Sequence, residues 1–198
     1  MTVSIATQEE SSVSIYDPNE QTLSDLLRAR AKKLRLLILD VDGVLTDGKL
    51  FFDAQGVEYK SFHARDGHGI KLLQQSGVKV AVISGRNSAV VALRMQSLGV
   101  ELVYQGHENK VAAFNEILQR LALEPEQVAH VGDDVLDLPL MVRVGLAIAV
   151  QDAHFTVKKH AHWCTQLPGG HGAVREVCDL IMQAQGSFDA AVNRYLTC

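Results

Sequence analysis

The sequence lacks the features that mark three common classes of protein. Basic residues are not in excess, since 19 Lys and Arg stand against 23 Asp and Glu and give a formal net charge of −4. Binding to a phosphate backbone needs a basic surface, so nucleic acid is not expected as a main partner. No apolar run reaches the ~18 residues of a membrane-spanning helix, so no membrane association is expected. Motifs of the form G-x-G-x-x-G and G-K-[ST] are also missing, which disfavours enzymes that bind nucleotides through them.

Cysteine is scarce, with three residues at Cys164, Cys178 and Cys198. None of them forms a C-x-x-C pair, and an odd number does not suggest a disulfide framework. Residues 1–10 have neither the basic cluster nor the apolar segment of a secretory signal. Reduced thiols and a cytoplasmic location are therefore expected.

The length of 198 residues suits one α/β domain and is too short for two of comfortable size. Residues 1–30 are predicted to be an N-terminal extension, partly disordered and then helical, with a helix over residues 22–33. The domain is predicted to span residues 31–186, and residues 187–198 are predicted to be a C-terminal tail.

Short apolar runs alternate with helical patterns through the predicted domain. Such runs are typical of strands buried on both faces, and the alternation predicts a doubly wound, mostly parallel α/β sheet of the Rossmann type. Ligands of such sheets bind beyond the carboxyl ends of the strands. The predicted strands are 35–39, 78–83, 102–104, 128–131 and 146–150, and the predicted helices are 69–75, 87–98, 109–121 and 137–142.

One segment interrupts this alternation. Strand-forming residues at 49–53 and 57–62 flank Ala54-Gln55-Gly56, a pattern that predicts a β-hairpin. Because the hairpin follows the first strand, residues 47–63 are predicted to project over the site as a flap.

Two carboxylates, Asp40 and Asp42, follow the first predicted strand and are separated by one residue. Unpaired carboxylates in a cleft resist joint ionisation, so a divalent cation is their natural partner. Gly43 permits the sharp turn that brings main chain close to a metal and a substrate. Two solvated loop aspartates are the alternative for this motif taken alone.

Polar residues follow the next three predicted strands in turn. Ser84 precedes a helix whose free N–H groups can bind a phosphate, although Ser84 could instead cap the helix. Lys110 lies at a helix N-terminus, where a cation is unfavourable unless it faces an anion; a solvated surface lysine is the alternative. Asp133 or Asp134 could complete a metal site with the first aspartate. A small set of hard oxygen ligands suits Mg²⁺.

These residues occur in the order found in haloacid-dehalogenase-like phosphatases, and the chain resembles that family. The family pattern is D-x-D-G after strand one, Ser or Thr after strand two, then Lys, then G-D-D-x-x-D. It is carried here by Asp40-Val41-Asp42-Gly43, by Ser84, by Lys110, and by Gly132-Asp133-Asp134 with Asp137. Within that family, the segments 39–48, 62–70, 83–86, 131–134 and 169–179 are similar to the octulosonate 8-phosphate phosphatases.

The resemblance implies a fold, a partner and an activity. Octulosonate 8-phosphate phosphatases are homotetramers with a short hairpin flap instead of a large cap domain. They act on the small-molecule sugar phosphate 3-deoxy-D-manno-octulosonate 8-phosphate, with Mg²⁺ as cofactor, in making the octulosonate sugar of lipopolysaccharide. Since a hairpin alone cannot enclose a site, a neighbouring subunit is expected to contribute, with residues 169–173 and the tail 187–198 as candidates.

The resemblance also implies catalytic roles. Asp40 would be the nucleophile that forms an aspartyl-phosphate, and Asp42 the general acid and base. Ser84 and Lys110 would hold the phosphoryl oxygens. The metal ligands would be the Asp40 carboxylate, the Asp42 main-chain carbonyl and Asp133. Asp134 and Asp137 would orient water and Lys110 from behind the metal.

Substrate contacts are implied in the same way. Arg side chains can bind the sugar-acid carboxylate in a bidentate manner, with surface charge as the alternative. The chain departs from the family at His63, where Asn is frequent, and at His171, where Arg is frequent. The implied substrate-binding residues are Asp42, His63, Arg65, Asp66, Gly67, Lys71, Arg86, Arg94 and Lys110.

Two other functions stay open on the sequence alone. One is hydrolysis of a different sugar phosphate, such as a nonulosonate 9-phosphate. The other is a receiver-like module that is phosphorylated on Asp, although receivers place the acceptor after the third strand whereas Asp40 follows the first.

Overall fold

The computed structural model describes residues 25–107 and 109–196 of the chain. The first 24 residues of the predicted N-terminal extension, and residues 197 and 198 of the predicted tail, lie outside the described residues. The helix predicted over residues 22–33 is described from Asp25 and ends at Lys32.

The described residues alternate strands and helices. The helices are α1 (Asp25–Lys32), α2 (Ala64–Gln75), α3 (Ala89–Leu98), α4 (Lys110–Leu121), α5 (Leu138–Met141), α6 (Phe155–His160), α7 (Ala173–Ala184) and α8 (Phe188–Asn193), with 3₁₀ turns at Pro125–Gln127 and Val135–Asp137. The strands are β1 (Leu36–Leu39), β2 (Phe51–Phe52), β3 (Glu58–Tyr59), β4 (Lys79–Ile83), β5 (Leu102–Tyr104), β6 (Val128–Gly132), β7 (Leu146–Ala149) and β8 (Trp163–Cys164).

Six of the described strands form one parallel sheet in the order β5-β4-β1-β6-β7-β8. All four residues of β1 are fully buried, as are those of β7. Strands without an exposed face need helices on both sides, which is why their sequences are continuous apolar runs. The predicted doubly wound, mostly parallel α/β fold is confirmed.

The helices cover the sheet through apolar faces. In α7, Val174, Val177, Cys178 and Ile181 are buried at helical spacing, and α7 packs along α2 and α1. In α4, the buried positions include Phe114 and Ile117, and this helix packs against α5.

Several elements differ from the predicted ones. Helices α6, α7 and α8 were not predicted, and the helix predicted over residues 137–142 is limited to Leu138–Met141. Helix α2 begins at Ala64 rather than Gly69, because its glycine-containing first turns are held by tertiary contacts. The backbone N–H of Arg175 donates to Asp66, and a Cβ on Gly67 would collide with Arg94. Strand β8 was not predicted, since two residues are too few to show a periodic pattern.

The predicted hairpin is confirmed as the antiparallel pair β2 and β3. Its turn is closed by Asp53, whose carboxylate accepts the N–H groups of Gln55 and Val57, while Gly56 takes a φ of +80°. In the described residues no large cap domain accompanies it, as expected.

The strand order determines where a ligand can bind. The chain leaves β1 towards β4 on one side and returns to β6 on the other, so the strand order reverses around β1. Crevices at such a reversal, beyond the carboxyl ends of the strands, are the usual ligand sites. Among the described residues, no helix is long and apolar enough to cross a bilayer.

Candidate active site

A buried cluster of charged residues lies at the carboxyl ends of β1 and β6. Asp40 follows β1 directly and donates its backbone N–H to Val131 of β6, at 3.2 Å. Asp133 follows β6, and Asp137 ends the 3₁₀ turn beyond it. One carboxylate oxygen from each aspartate lies within 4.8 Å of the other two. We call Asp40, Lys110, Asp133 and Asp137 the catalytic floor.

Lys110 connects two of these carboxylates. It is the first residue of α4, whose start is fixed by Asn109 accepting the Val111 N–H. Its Nζ lies 2.8 Å from Asp40 Oδ1 and 2.6 Å from Asp137 Oδ1. The lysine is 3% exposed, so the alternative of a solvated surface lysine is wrong. Burial alone would lower the pKa of Lys110, but Asp40 and Asp137 raise it overall.

Asp137 has a full set of partners. Besides Lys110, its carboxylate accepts from His130 Nε2 at 2.9 Å and from the backbone N–H of Asp133 at 3.0 Å. Burial would raise the pKa of Asp137, but the hydrogen bond and charge of His130, together with Lys110, hold it below its usual value. Asp137 thus orients Lys110 and the turn that carries Asp133.

His130 was missed by the sequence analysis. It is fully buried on β6 and directs Nε2 at Asp137. The available signal was a histidine within the otherwise apolar run Val128–Gly132, where a polar side chain needs a partner.

The floor has the properties of a cation site. Among the described residues, the buried Oδ1 of Asp133 has no hydrogen-bond partner. Burial and the charge of Asp40 raise the pKa of Asp133 to about 8, and burial and the charge of Asp137 raise that of Asp40 to about 6. Two carboxylates that resist ionisation side by side fit a divalent cation between them. Because Asp137 is already occupied by Lys110 and His130, the side chains available to the ion are Asp40 and Asp133.

Gly43 is required by this arrangement. Its φ is +93°, and a Cβ at this position would collide with the carboxylate of Asp133. Only glycine therefore lets the D-x-D-G loop pass beside Asp133.

Asp42 faces the flap rather than the floor. Its Oδ1 forms an ion pair with Lys60 Nζ, and its Oδ2 lies 3.6 Å from Arg86 Nε. Glu58 contacts both cations, at 3.3 Å from Lys60 Nζ and 2.9 Å from an Arg86 terminal nitrogen. Ser88 Oγ donates to the other oxygen of Glu58 at 2.5 Å. These contacts hold the flap against the loop that follows β4.

Lys60 and Glu58 were also missed by the sequence analysis. The available signal was their spacing, since residues two apart in an extended segment face the same side. Their orientation towards Asp42 depends on the path of the hairpin, which the local sequence does not specify.

Ser84 follows a strand as predicted, but α3 begins at Ala89 with Ser88 at its N-cap position, so Ser84 does not cap the helix. It follows β4, is 4% exposed, and its Oγ accepts the backbone N–H of Arg86 at 3.3 Å. Since Leu39 pairs with Val82 in parallel register, Ser84 and Asp40 leave the sheet at the same edge.

A second group of predicted residues surrounds the start of α2. Asp66 Oδ2 lies 4.0 Å from His63 Nδ1, and neither buried atom has a hydrogen-bond partner in the described part of the chain. Burial raises the pKa of Asp66. The Arg94 guanidinium packs beside Gly67 and lies 5.9 Å from the centre of the Phe62 ring. Arg65 and Lys71 are exposed on α2, and the roles of these residues in substrate binding stay predictions.

The loop before α7 joins the two groups. Gly170 donates its N–H to Val44 at 2.9 Å, and a Cβ on Gly169 would collide with the Gly43 carbonyl. Gly172 lies next to His63. The exposed His171 folds back, with Nδ1 2.7 Å from the Gly169 carbonyl. This loop therefore packs against the D-x-D-G loop of its own chain.

The remaining predicted positions are at the surface. Asp134 is exposed and accepts the N–H of Val135 at 2.7 Å, so it starts the 3₁₀ turn. In the tail, α8 packs on α7, and Tyr195 Oη lies 2.9 Å from His68 Nε2.

Comparisons with known proteins agree with this geometry. The haloacid dehalogenase-like hydrolase family matches residues 94–176. The 3-deoxy-D-manno-octulosonate 8-phosphate phosphatase KdsC of Escherichia coli K12 is 50% identical over 163 residues, covering 82% of this chain and 87% of the relative. The Salmonella typhi protein of the same name is 48% identical over 169 residues, covering 85% and 90%.

Two solved structures are also similar to this chain in fold and sequence. The Yersinia pestis 3-deoxy-D-manno-octulosonate 8-phosphate phosphatase has a TM-score of 0.83 at 47% identity, over 83% of this chain and 89% of that one. The Moraxella catarrhalis phosphatase, solved with magnesium, phosphate and KDO, has a TM-score of 0.83 at 38% identity, over 85% and 97%.

Fold and site thus define a haloacid dehalogenase-like hydrolase, which confirms the resemblance found in the sequence. Within that class, the chain belongs to the family of the 3-deoxy-D-manno-octulosonate 8-phosphate phosphatases.

Proposed function

We propose that this chain hydrolyses the phosphate monoester of 3-deoxy-D-manno-octulosonate 8-phosphate to the free sugar acid and inorganic phosphate. The observation that carries the proposal is the catalytic floor, in which Lys110, Asp40 and the partly unpaired carboxylate of Asp133 meet at one sheet edge. The substrate is taken from the names of the relatives. We propose, from the resemblance of the sequence, that the reaction belongs to lipopolysaccharide precursor biosynthesis.

Asp40 is the nucleophile of the proposed reaction. Its Oδ1 is held by Lys110, which leaves the second oxygen to attack phosphorus. The bond between phosphorus and the sugar oxygen breaks as the aspartyl-phosphate forms. Asp40, Asp133 and the Asp42 carbonyl would hold Mg²⁺, which would neutralise charge on the phosphoryl oxygens. Lys110 adds a buried positive charge, and Ser84 offers a hydroxyl at the same edge.

Asp42 is the general acid and base. It donates a proton to the leaving sugar oxygen, then accepts one from the water that hydrolyses the aspartyl-phosphate. Its position beside the flap, outside the floor, separates it from the nucleophile.

The far end of the substrate carries a carboxylate. Arg65, Lys71, Arg86 and Arg94 are the cations that we propose for its recognition. His63, Asp66 and Gly67 belong to the same group at the start of α2, where Asp66 and His63 keep unpartnered polar atoms.

The working enzyme is proposed to be a cytoplasmic homotetramer. The flap exposes Phe51 at 50%, Phe52 at 55% and Tyr59 at 56%, and clustered exposed apolar side chains are typical of a protein–protein interface. A neighbouring subunit that covers this surface would also complete the enclosure of the site. Within the described residues, Cys164 and Cys178 are free thiols, in keeping with a reducing compartment.

Phosphate release from a panel of sugar phosphates tests the proposal. Octulosonate 8-phosphate is expected to give the highest kcat/KM, above a nonulosonate 9-phosphate and simple hexose phosphates. Asp40→Asn is expected to lose about four orders of magnitude or more, since no other group can replace the nucleophile. A higher kcat/KM for the 9-phosphate would reassign the substrate, and a phospho-adduct stable for hours would favour a receiver-like module.

A further inference from the structure

Four charged side chains form a closed ring above the catalytic floor. Asp42 contacts Lys60 through one oxygen and faces Arg86 through the other, at 3.6 Å. Glu58 contacts Lys60 at 3.3 Å and Arg86 at 2.9 Å through a single oxygen, Oε1. We call Asp42, Lys60, Glu58 and Arg86 the flap ring.

The flap ring joins three separate parts of the chain. Asp42 belongs to the D-x-D-G loop, Glu58 and Lys60 belong to the flap, and Arg86 belongs to the loop after β4. Ser88 adds a fifth contact by donating to Glu58, and this hydrogen bond lowers the Glu58 pKa. Charged contacts therefore hold the flap in place, while Phe51, Phe52 and Tyr59 are each at least half exposed to solvent.

Lys60 is the most enclosed member of the ring. Its side chain is 1% exposed, against 20% for Asp42 and 43% for Arg86. A lysine ammonium group that is shielded from water needs anionic partners, and Asp42 and Glu58 provide them. The ion pair with Lys60 restricts the orientation of the Asp42 carboxylate.

We propose that Lys60 is a positioning residue for Asp42, and that the flap ring couples closure of the flap to the proton transfer that Asp42 performs. This inference rests on the proposed function. As the bond to phosphorus breaks, its electron pair goes to the leaving sugar oxygen, which takes the proton of the Asp42 carboxyl group. Lys60 keeps its own protons throughout and acts only by fixing where that carboxyl lies.

Leaving-group dependence separates positioning from a general structural role. A sugar alkoxide is a poor leaving group that needs a proton, whereas p-nitrophenolate leaves without one. Lys60→Met is expected to lower kcat/KM for octulosonate 8-phosphate by about 10- to 100-fold, a part of the roughly 10²- to 10⁴-fold that general acid–base catalysis typically contributes. For p-nitrophenyl phosphate the expected loss is less than about threefold. Equal losses on both substrates would overturn the proposal.

A double-mutant comparison tests whether Lys60 acts through Asp42. In an Asp42→Asn background, Lys60→Met is expected to cause no further loss on the sugar phosphate, because the group it positions is gone. Lys60→Arg is expected to recover part of the activity. Lys49→Met, which removes an exposed flap lysine paired with Asp47, is the matched control and should leave both substrates unaffected. Additive losses from the two substitutions would contradict the mechanism.

Hydrogen exchange supplies a readout that does not depend on turnover. Lys60→Met is expected to speed exchange of the flap amides over residues 53–59 at least about tenfold in the substrate-free protein, with α7 unaffected. Unchanged exchange in the flap would overturn the coupling. Faster flap exchange in a protein that hydrolyses none of the sugar phosphates would instead reject the proposed function and keep the ring as the element that closes the flap.

Discussion

The catalytic floor and the flap are built by opposite means. The floor lies at the end of a buried parallel sheet, and Asp40, Lys110 and Asp137 are held by contacts between 2.6 and 2.9 Å in nearly dry surroundings. The flap has two residues in each strand, exposes its aromatic side chains, and is fastened through Glu58 and Lys60. The sheet fixes the positions of the catalytic groups. The flap closes over them through ion pairs that can form and break.

The catalytic floor and the flap should also differ in how much their charged contacts contribute to stability. Removing one partner from a buried charge network leaves the others without compensation, whereas exposed ion pairs contribute little. Substitutions in the floor should therefore change both catalysis and stability. Substitutions of the exposed flap side chains should change catalysis or assembly with little effect on the stability of the domain.

The largest expected effect comes from Lys110→Met in the floor. Loss of the cation beside Asp40 should lower kcat by about 10³-fold, the upper range for one oxyanion donor. It should also lower the free energy of unfolding by about 3 kcal/mol, because Asp137 and Asp40 lose a buried partner. Steady-state kinetics and urea unfolding measure the two effects.

Lys79→Met is the control for that experiment, since Lys79 is exposed at the opposite end of β4. A Lys110→Met enzyme with unchanged kcat would show that the lysine serves packing only, and would remove it from the catalytic floor.

A smaller effect is expected from the double substitution Phe51→Ser and Phe52→Ser in the flap. Loss of this surface should convert the proposed tetramer into smaller species on gel filtration, and lower kcat/KM about tenfold, equivalent to about 1.4 kcal/mol. The thermal unfolding of dilute protein should change little. Phe155→Ser removes an equally exposed aromatic from α6 and should leave the assembly intact. Wild-type protein that elutes as a fully active monomer would refute the role given to the flap aromatics.

The smallest expected effect is a pH dependence of stabilisation by Mg²⁺. Aspartate in an unfolded chain has a pKa of about 3.9, whereas the pKa values of Asp40 and Asp133 are raised to about 6 and about 8. The folded protein thus binds more protons than the unfolded chain, and without metal its stability falls as pH rises towards 8. Mg²⁺ needs the ionised carboxylates and should remove that loss.

Thermal unfolding at pH 6 and pH 8, with Mg²⁺ or with EDTA, measures this effect. The increase in Tm caused by Mg²⁺ should be greater at pH 8, by about 3 °C, or roughly 1 kcal/mol for a domain of this size. Asp133→Asn should abolish the difference. An increase that is the same at both pH values would place the metal away from these carboxylates.

The sequence was sufficient for the floor because the floor follows from the topology. In a parallel sheet the carboxyl ends of the strands share one edge, so Asp40, Ser84 and Asp133 had to converge once the strands were recognised. The surroundings of that edge were harder to predict. His130 is directed inward by the pleat of β6, and its partner Asp137 lies in a 3₁₀ turn rather than at the start of the predicted helix over residues 137–142.

The flap was predictable as a hairpin but not as a set of contacts. Its turn is local and depends on Asp53 and Gly56, whereas the path that brings Lys60 to Asp42 depends on the hairpin leaning over the sheet edge. The early start of α2 also depends on a contact that the local sequence does not specify. Asp66 is held there by a backbone group of α7 that lies 109 residues further along the chain.

Asp40 and Asp133, from two separate strands, are expected to hold one hard cation while Asp137 stays with Lys110 and His130. A crystal structure with Mn²⁺ in place of Mg²⁺, phased on the anomalous signal of the metal, is the decisive experiment. We expect a single peak in the site, bonded to oxygens of Asp40 and Asp133 at about 2.1–2.2 Å, close to the distances known for Mg²⁺. A peak coordinated by Asp137, or one that touches only one of the two strands, would contradict this expectation.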